Sequence, residues 1–94
     1  MFAIAFDLIT ANVAVHHPKS ISAAYTDIGR AVGKYGFEWV QGSVYVNRSD
    51  NLADLTSAMA ALKAMPWLPL SVRDIRGFKV ENWSDFTPFM KAKF

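Results

Sequence analysis

At 94 residues, with 52% apolar and 19% charged side chains, the chain is too short for a second core and too apolar to be disordered. It has no cysteine, which removes disulfides, thiolate metal sites and cysteine nucleophiles together. A net charge of +2 and a pI of about 9.1 permit nucleic-acid binding without demanding it.

No apolar run approaches the ~18 residues of a membrane span. The N-terminus lacks the basic start and small-residue cleavage site of a secretory signal, so a cytoplasmic setting is expected. The apolar content is also high enough to expect that a partner subunit covers some of it.

Residues 1–9 alternate large apolar and small side chains, then place a carboxylate, Asp7, where the small ones had been. Period-two alternation marks a strand with two different faces. Phe2, Ile4, Phe6 and Leu8 point to one layer; Ala3, Ala5 and Asp7 point to the other. Residues 10–19 are polar, hold Pro18 and read as loop. From Ser20, the apolar positions Ile21, Ala24, Tyr25, Ile28, Val32 and Tyr35 fall on one helical stripe, with Ser20 as N-cap and Gly36 as the stop.

Residues 37–40 are a short β-prone run, and Gln41-Gly42 separates it from the alternating strand 43–47. Two such runs across a glycine-containing break are a hairpin. Ser49 or Asp50 then caps a second helix, whose Leu52, Leu55, Met59, Leu62 and Met65 recur at intervals of three and four. Pro66 and Pro69 break it. Residues 72–80 are strand-like, with Gly77 marking a bulge. The tail carries Trp83, Phe86, Phe89 and Phe94. It is expected to form a short turn of helix or an extra edge strand, packed on the domain or on a second subunit.

The order β-α-β-β-α-β plus a tail is the split βαβ, or ferredoxin-like, plan. It makes residues 1–94 a single α+β domain, with a four-stranded antiparallel sheet, two helices on one face and the other face open. Right-handed crossovers put the first strand in the centre, between the third and the fourth. Asp7 then lies near Ser43 and near Arg73-Asp74. Parity puts Ser43, Tyr45 and Asn47 on one face and Val44 and Val46 on the helix side. Asp7, Ser43 and Tyr45 are therefore expected to share the open face.

Each candidate has a plain reading beside the functional one. Asp7 is a strand-end acid, solvated or capping a turn, or it is a charge kept on a hydrophobic strand because it is paired or binds a metal. One carboxylate per chain is a poor metal site, since magnesium wants one or two carboxylates plus phosphate oxygens and water. A two-fold dimer packing its open faces would bring two copies of Asp7 together. Arg73-Asp74-x-Arg76 holds phosphates by bidentate contacts, or is a salt-bridge network fixing the last strand.

Ser43 taken alone satisfies its own hairpin backbone; nearness to Asp7 is what gives its hydroxyl a role. His16-His17, in a polar loop, are solvated more often than they serve as acid or base. Trp39, Tyr45, Trp67 and Trp83 could stack on bases, with core or interface packing as the safer reading for most of them. The methionines of the second helix read as core. A glycine-rich phosphate loop, a histidine metal cluster and a serine-hydrolase elbow are all missing from the sequence.

Several blocks carry a resemblance. The opening Phe2 to Leu8, Gly36-Phe37, Gln41-Gly42-Ser43-Val44-Tyr45, Ser71-Val72-Arg73-Asp74-Ile75-Arg76 and Trp83-Ser84-Asp85-Phe86 resemble virulence-associated protein D nearly end to end. The resemblance implies a ferredoxin-like homodimer and an endoribonuclease, often the toxin of a toxin–antitoxin pair. That family is in turn similar in fold to the small nuclease of CRISPR adaptation, whose first strand also ends in an acid at the dimer interface. Carried onto this chain, the acid is Asp7 and the neighbouring hydroxyl is Ser43.

The expectation is thus a homodimeric RNA endonuclease with Asp7 and Ser43 as catalytic residues. Arg73, Arg76 and Tyr45 would contact substrate, and Asp7 would hold a divalent ion such as magnesium. A metal-free route, with Asp7 as base for the RNA 2′-hydroxyl, stays open beside it. The alternative function is a non-catalytic dimeric module that binds nucleic acid or an antitoxin protein.

Overall fold

A computed structural model describes residues 1–93; Phe94, counted above with the aromatic tail, lies outside them. The elements are β1 (Phe2–Leu8), α1 (Thr10–His16), α2 (Ile21–Gly33), β2 (Glu38–Gln41), β3 (Val44–Asn47), α3 (Leu52–Lys63), β4 (Val72–Lys79) and α4 (Thr87–Lys91). The strands form one antiparallel sheet in the order β2-β3-β1-β4, so β1 is central as the right-handed crossovers require. This is the α+β, ferredoxin-like arrangement expected from the sequence.

The two crossover helices begin and end on identifiable bonds. Ser20 Oγ accepts from the Ala23 N–H at 3.0 Å and starts α2. Its end closes as Gly36, at φ +86°, donates to Gly33 O and Phe37 donates to Val32 O. Ala24, Ile28 and Val32, at four-residue steps, bury its inner face. Asn51, rather than Ser49 or Asp50, caps α3, accepting from the Ala53 N–H at 2.9 Å. Ser49 Oγ instead accepts from the Asn51 N–H, and Asp50 takes the N-terminal ammonium at 2.6 Å. That hydrogen bond and charge hold the Asp50 carboxyl below the usual carboxylate range.

The segment expected to be loop is partly helical. Residues 10–16 wind into α1 because Asn12 and Val13 both donate to the Ile9 carbonyl, and Val13 drops fully into the core. One buried valine in seven residues leaves no periodic pattern to read. Gly77 is also reassigned. The irregularity in β4 lies between Asp7 and Leu8 of its partner strand, where Arg73 is the extra residue. Gly77 instead lets α3 lie on the sheet, since a Cβ there would meet Leu55 Cδ1 at 3.0 Å and Met59 Cε at 3.1 Å.

Register decides which side chains face the helices. Ile4 pairs with Tyr45 and with Gly77, while Ala3 pairs with Val46 and Phe78, and Ala5 with Val44 and Arg76. The core therefore takes Ile4, Phe6, Leu8 and Tyr45 from the sheet, against Ala24, Ile28, Val32, Leu55, Ala58 and Leu62 from the helices. Val44 and Val46 fall on the open face with Ala3, Ala5 and Asp7, the reverse of the parity expected for β3. Tyr45 is 7% exposed, stacks on Phe6 at 6.2 Å, and sits below Gly29, where a Cβ would lie 3.0 Å from its hydroxyl.

The tail leaves β4 at one edge of the sheet yet shares a cleft with Gln41 of β2 at the other edge, so it returns across the width of the domain. Its residues stay exposed, including Trp83, Phe86, Phe89 and Met90. A Cα radius of gyration of 14.6 Å, against about 12 Å for a compact chain of this length, reflects that projection.

Candidate functional site

Strand β1 carries Asp7 to its carboxyl end on the open face, in register with Asp74 of β4. Like charges directly opposite each other on one face repel, and each is met by an arginine. Arg73 Nη1 donates to Asp7 Oδ2 at 2.9 Å. Arg76 Nε donates to both Asp74 oxygens, at 3.3 and 3.0 Å. The extra residue in β4 makes this possible: it lets Arg73 and Asp74, adjacent in sequence, both serve the Asp7 side.

All four side chains are solvated; Asp7 is 57% and Arg73 61% exposed. Exposed ion pairs of this kind contribute about 0–1 kcal/mol. A phosphodiester or a cation can therefore exchange for either partner at small cost. The arrangement is electrically neutral as it stands, with two acids and two arginines that a polyanion would redistribute.

Two expected members do not join this face. Tyr45 is a core residue, and burial pushes its hydroxyl above the ordinary tyrosine range. Ser43 lies half-buried in the β2–β3 turn, where its carbonyl accepts from the Phe6 N–H at 3.1 Å. Continuing the ladder places Ser43 in register with Phe6, on the helix side, although at the same end of the sheet as Asp7. Asp74 is the member that sequence reasoning left within a phosphate-binding motif. Counting by two from Arg76, which opposes Ala5, places it on the face of Asp7.

His17 is neither solvated nor available as an acid or base. Its side chain is 1% exposed, packs edge-on against Trp67 at 4.9 Å, and places Nε2 2.8 Å from Asp27 Oδ2. The Lys19 N–H donates to Nδ1 at 3.0 Å, which assigns the ring hydrogen to Nε2. The pair looks like half of a catalytic relay and works as a brace between the chain after α1 and helix α2. His16 is exposed on the last turn of α1.

Among the described residues, no group of three or more histidine and acidic side chains converges as a metal site, and no helix is long and apolar enough to cross a membrane. Asp7 and Asp74 together nevertheless match the one or two carboxylates by which magnesium is usually held beside substrate phosphates and water. No family model matches the chain. It is 53% identical over 92 residues to an endoribonuclease VapD homologue of Neisseria gonorrhoeae, covering 98% of this chain and 100% of the relative. Identity is 50% over 91 residues to endoribonuclease VapD of Haemophilus influenzae, covering 97% and 99%. To endoribonuclease VapD of Dichelobacter nodosus it is 48% over 92 residues, covering 98% and 99%.

Proposed function

The chain belongs to the VapD family of endoribonucleases, and from that premise we propose that it cuts RNA at the Asp7 end of its sheet, as a two-fold homodimer. The observation that carries this reading is the Asp7 carboxylate: on the central strand, open to solvent, and oriented by Arg73 at 2.9 Å. Arg73 binds Oδ2 and leaves Oδ1 to take the proton of an attacking hydroxyl. Arg73 and Arg76 are the groups that grip the flanking phosphates: Arg73 with the guanidinium N–H groups that its single bond to Asp7 leaves over, and Arg76 as the polyanion releases it from Asp74. Ser43, in the turn at this end of the sheet, is the hydroxyl assigned to the scissile phosphate, which it must reach from the helix side of β3.

A divalent ion, magnesium by its donor preference, would be held by Asp7 with either Asp74 or a second copy of Asp7. When bound it supplies positive charge at the scissile phosphate. The small, partly exposed side chain of Ala5 beside Asp7 leaves room on the open face for a second copy to approach. The toxin role, with an antitoxin protein as partner, rests on the family resemblance alone.

Cleavage of a single-stranded RNA by highly purified Asp7→Asn protein tests the site. A fall of about 10²–10⁴-fold is expected, the range a positioned proton acceptor contributes, with fold and oligomeric state unchanged. Unchanged cleavage sinks the site. The product ends separate the two routes: a 5′-phosphate lost with chelator indicates metal-assisted attack by water, and a 2′,3′-cyclic phosphate that survives chelator indicates attack by the RNA's own 2′-hydroxyl.

A further inference from the structure

The site as described explains how a phosphate is approached and leaves the bases unread. One rung of the open face runs across all four strands: Arg76 pairs with Ala5, Ala5 with Val44, and Val44 with Gln41. Ladder spacings place Gln41 about 12 Å from Asp7, two strands over and one pleat back. At that far end the returning tail forms a cleft with Gln41, walled by Asn82, Trp83, Ser84, Phe86 and Lys91.

The chemistry of this cleft is mixed in an informative way. Trp83 and Phe86 are 41% and 63% exposed, with ring faces that any base can stack on. Gln41 and Asn82 carry side-chain amides, each both donor and acceptor, which suit the edge of an unpaired base. Lys91 supplies a cation for a flanking phosphate. Asp85, the acid in the same wall, already accepts from the Thr87 N–H at 2.8 Å, and the hydrogen bonds from Thr87 lower its pKa. Interface centres between proteins shed charged side chains, whereas aromatic rings beside amides and a lysine are what single-stranded nucleic acid uses.

We infer that the cleft between Gln41 and the tail is a base-binding subsite, in which Trp83 and Phe86 stack an unpaired RNA base near the phosphate cut at Asp7. The inference rests on the reading of Asp7 as the cutting point. It turns the tail from a covering into the part of the molecule that selects single strands. In a two-fold dimer with Asp7 near the axis, one such subsite flanks the cut on either side.

Binding of a single-stranded 2′-O-methyl RNA, followed by fluorescence anisotropy, tests it without cleavage. Trp83→Ala and Phe86→Ala are each expected to raise Kd roughly 5- to 100-fold, the loss of one stacked base. Trp83→Phe and Phe86→Tyr should keep most of the affinity. An abasic nucleotide at the stacked position should weaken wild type and leave Trp83→Ala unaffected. Unchanged Kd in both alanine variants overturns the subsite. So does a loss of affinity that appears only together with a changed oligomeric state, which makes the tail a subunit contact. Cleavage by Asp7→Asn protein is read in parallel. If that variant still cleaves while Trp83→Ala binds weakly, the cutting point is wrong and the subsite stands.

Discussion

Two side-chain pairs in this chain have almost the same length and opposite surroundings. His17 and Asp27 meet at 2.8 Å, with the histidine sealed under Trp67; Arg73 and Asp7 meet at 2.9 Å in open water. In the first, His17 is shut away from water and nothing can replace the bonds it makes, although Asp27 is 36% exposed and also lies 3.7 Å from Arg30. The second is bathed in solvent that can replace either member. A geometric list would score the two alike. Burial separates them: it makes the hidden pair structural and leaves the exposed pair free for chemistry.

The largest effect should come from breaking the hidden pair. His17→Ala leaves the Lys19 N–H without its acceptor, Asp27 with only the longer contact to Arg30 at 3.7 Å, and a void against Trp67. A loss of about 2–3 kcal/mol is expected, read as a fall in Tm on the order of 10–20 °C for a domain of this size. The folded fraction should cleave RNA at the wild-type rate. A variant that melts normally but has lost activity would place His17 in the chemistry and erase the contrast.

What the sequence could show follows the same division. The central position of the first strand and the closeness of Asp7 to Arg73-Asp74 were legible, because topology depends on element order and handedness. The face of β3 was not. Val44-Tyr45-Val46 offers β-prone apolar side chains to both sides, so alternation alone gives no sign. Size settles it: the space below Gly29 fits a tyrosine, and Tyr45 takes it. The burial of His17 was equally hidden, since its partners lie ten and fifty residues onward and α1 shows one apolar anchor. The pairing of Asp74 with Asp7 follows the regular register of β1 and β4, which element order alone does not fix; the extra residue Arg73, one step beyond that pair, leaves no mark in the sequence.

The exposed pair should respond in the opposite sense. Arg73→Ala is expected to cost no more than about 1 kcal/mol of stability, yet to weaken RNA binding roughly 10- to 100-fold, the worth of a hydrogen bond to a charged group. Arg73→Lys, which keeps the charge and loses the fork, should fall between the two. Chemical denaturation and anisotropy on the same preparations give both numbers. A destabilisation above 2 kcal/mol would make this pair a second brace and remove the distinction from His17–Asp27.

The smallest effect belongs to Tyr45, and it probes the core side of the sheet by titration. Burial raises its pKa above the ordinary value of about 10. The sign follows from linkage: the unfolded chain releases the phenolic proton first as pH rises. The contribution of Tyr45 to stability is therefore fully present below the unfolded pKa and is lost as pH rises through the folded one. Stability should slope downward above about pH 10 in wild type, and Tyr45→Phe should flatten part of that slope while leaving the neutral-pH activity intact. Tyrosinate absorbance and circular dichroism, followed together through the alkaline range, read both. A Tyr45 that ionises at the ordinary value with the fold intact would mean that its ring stands open to water. The hydroxyl would then be back within reach of a substrate, and the boundary between the sealed side and the working side of this sheet would have to be redrawn.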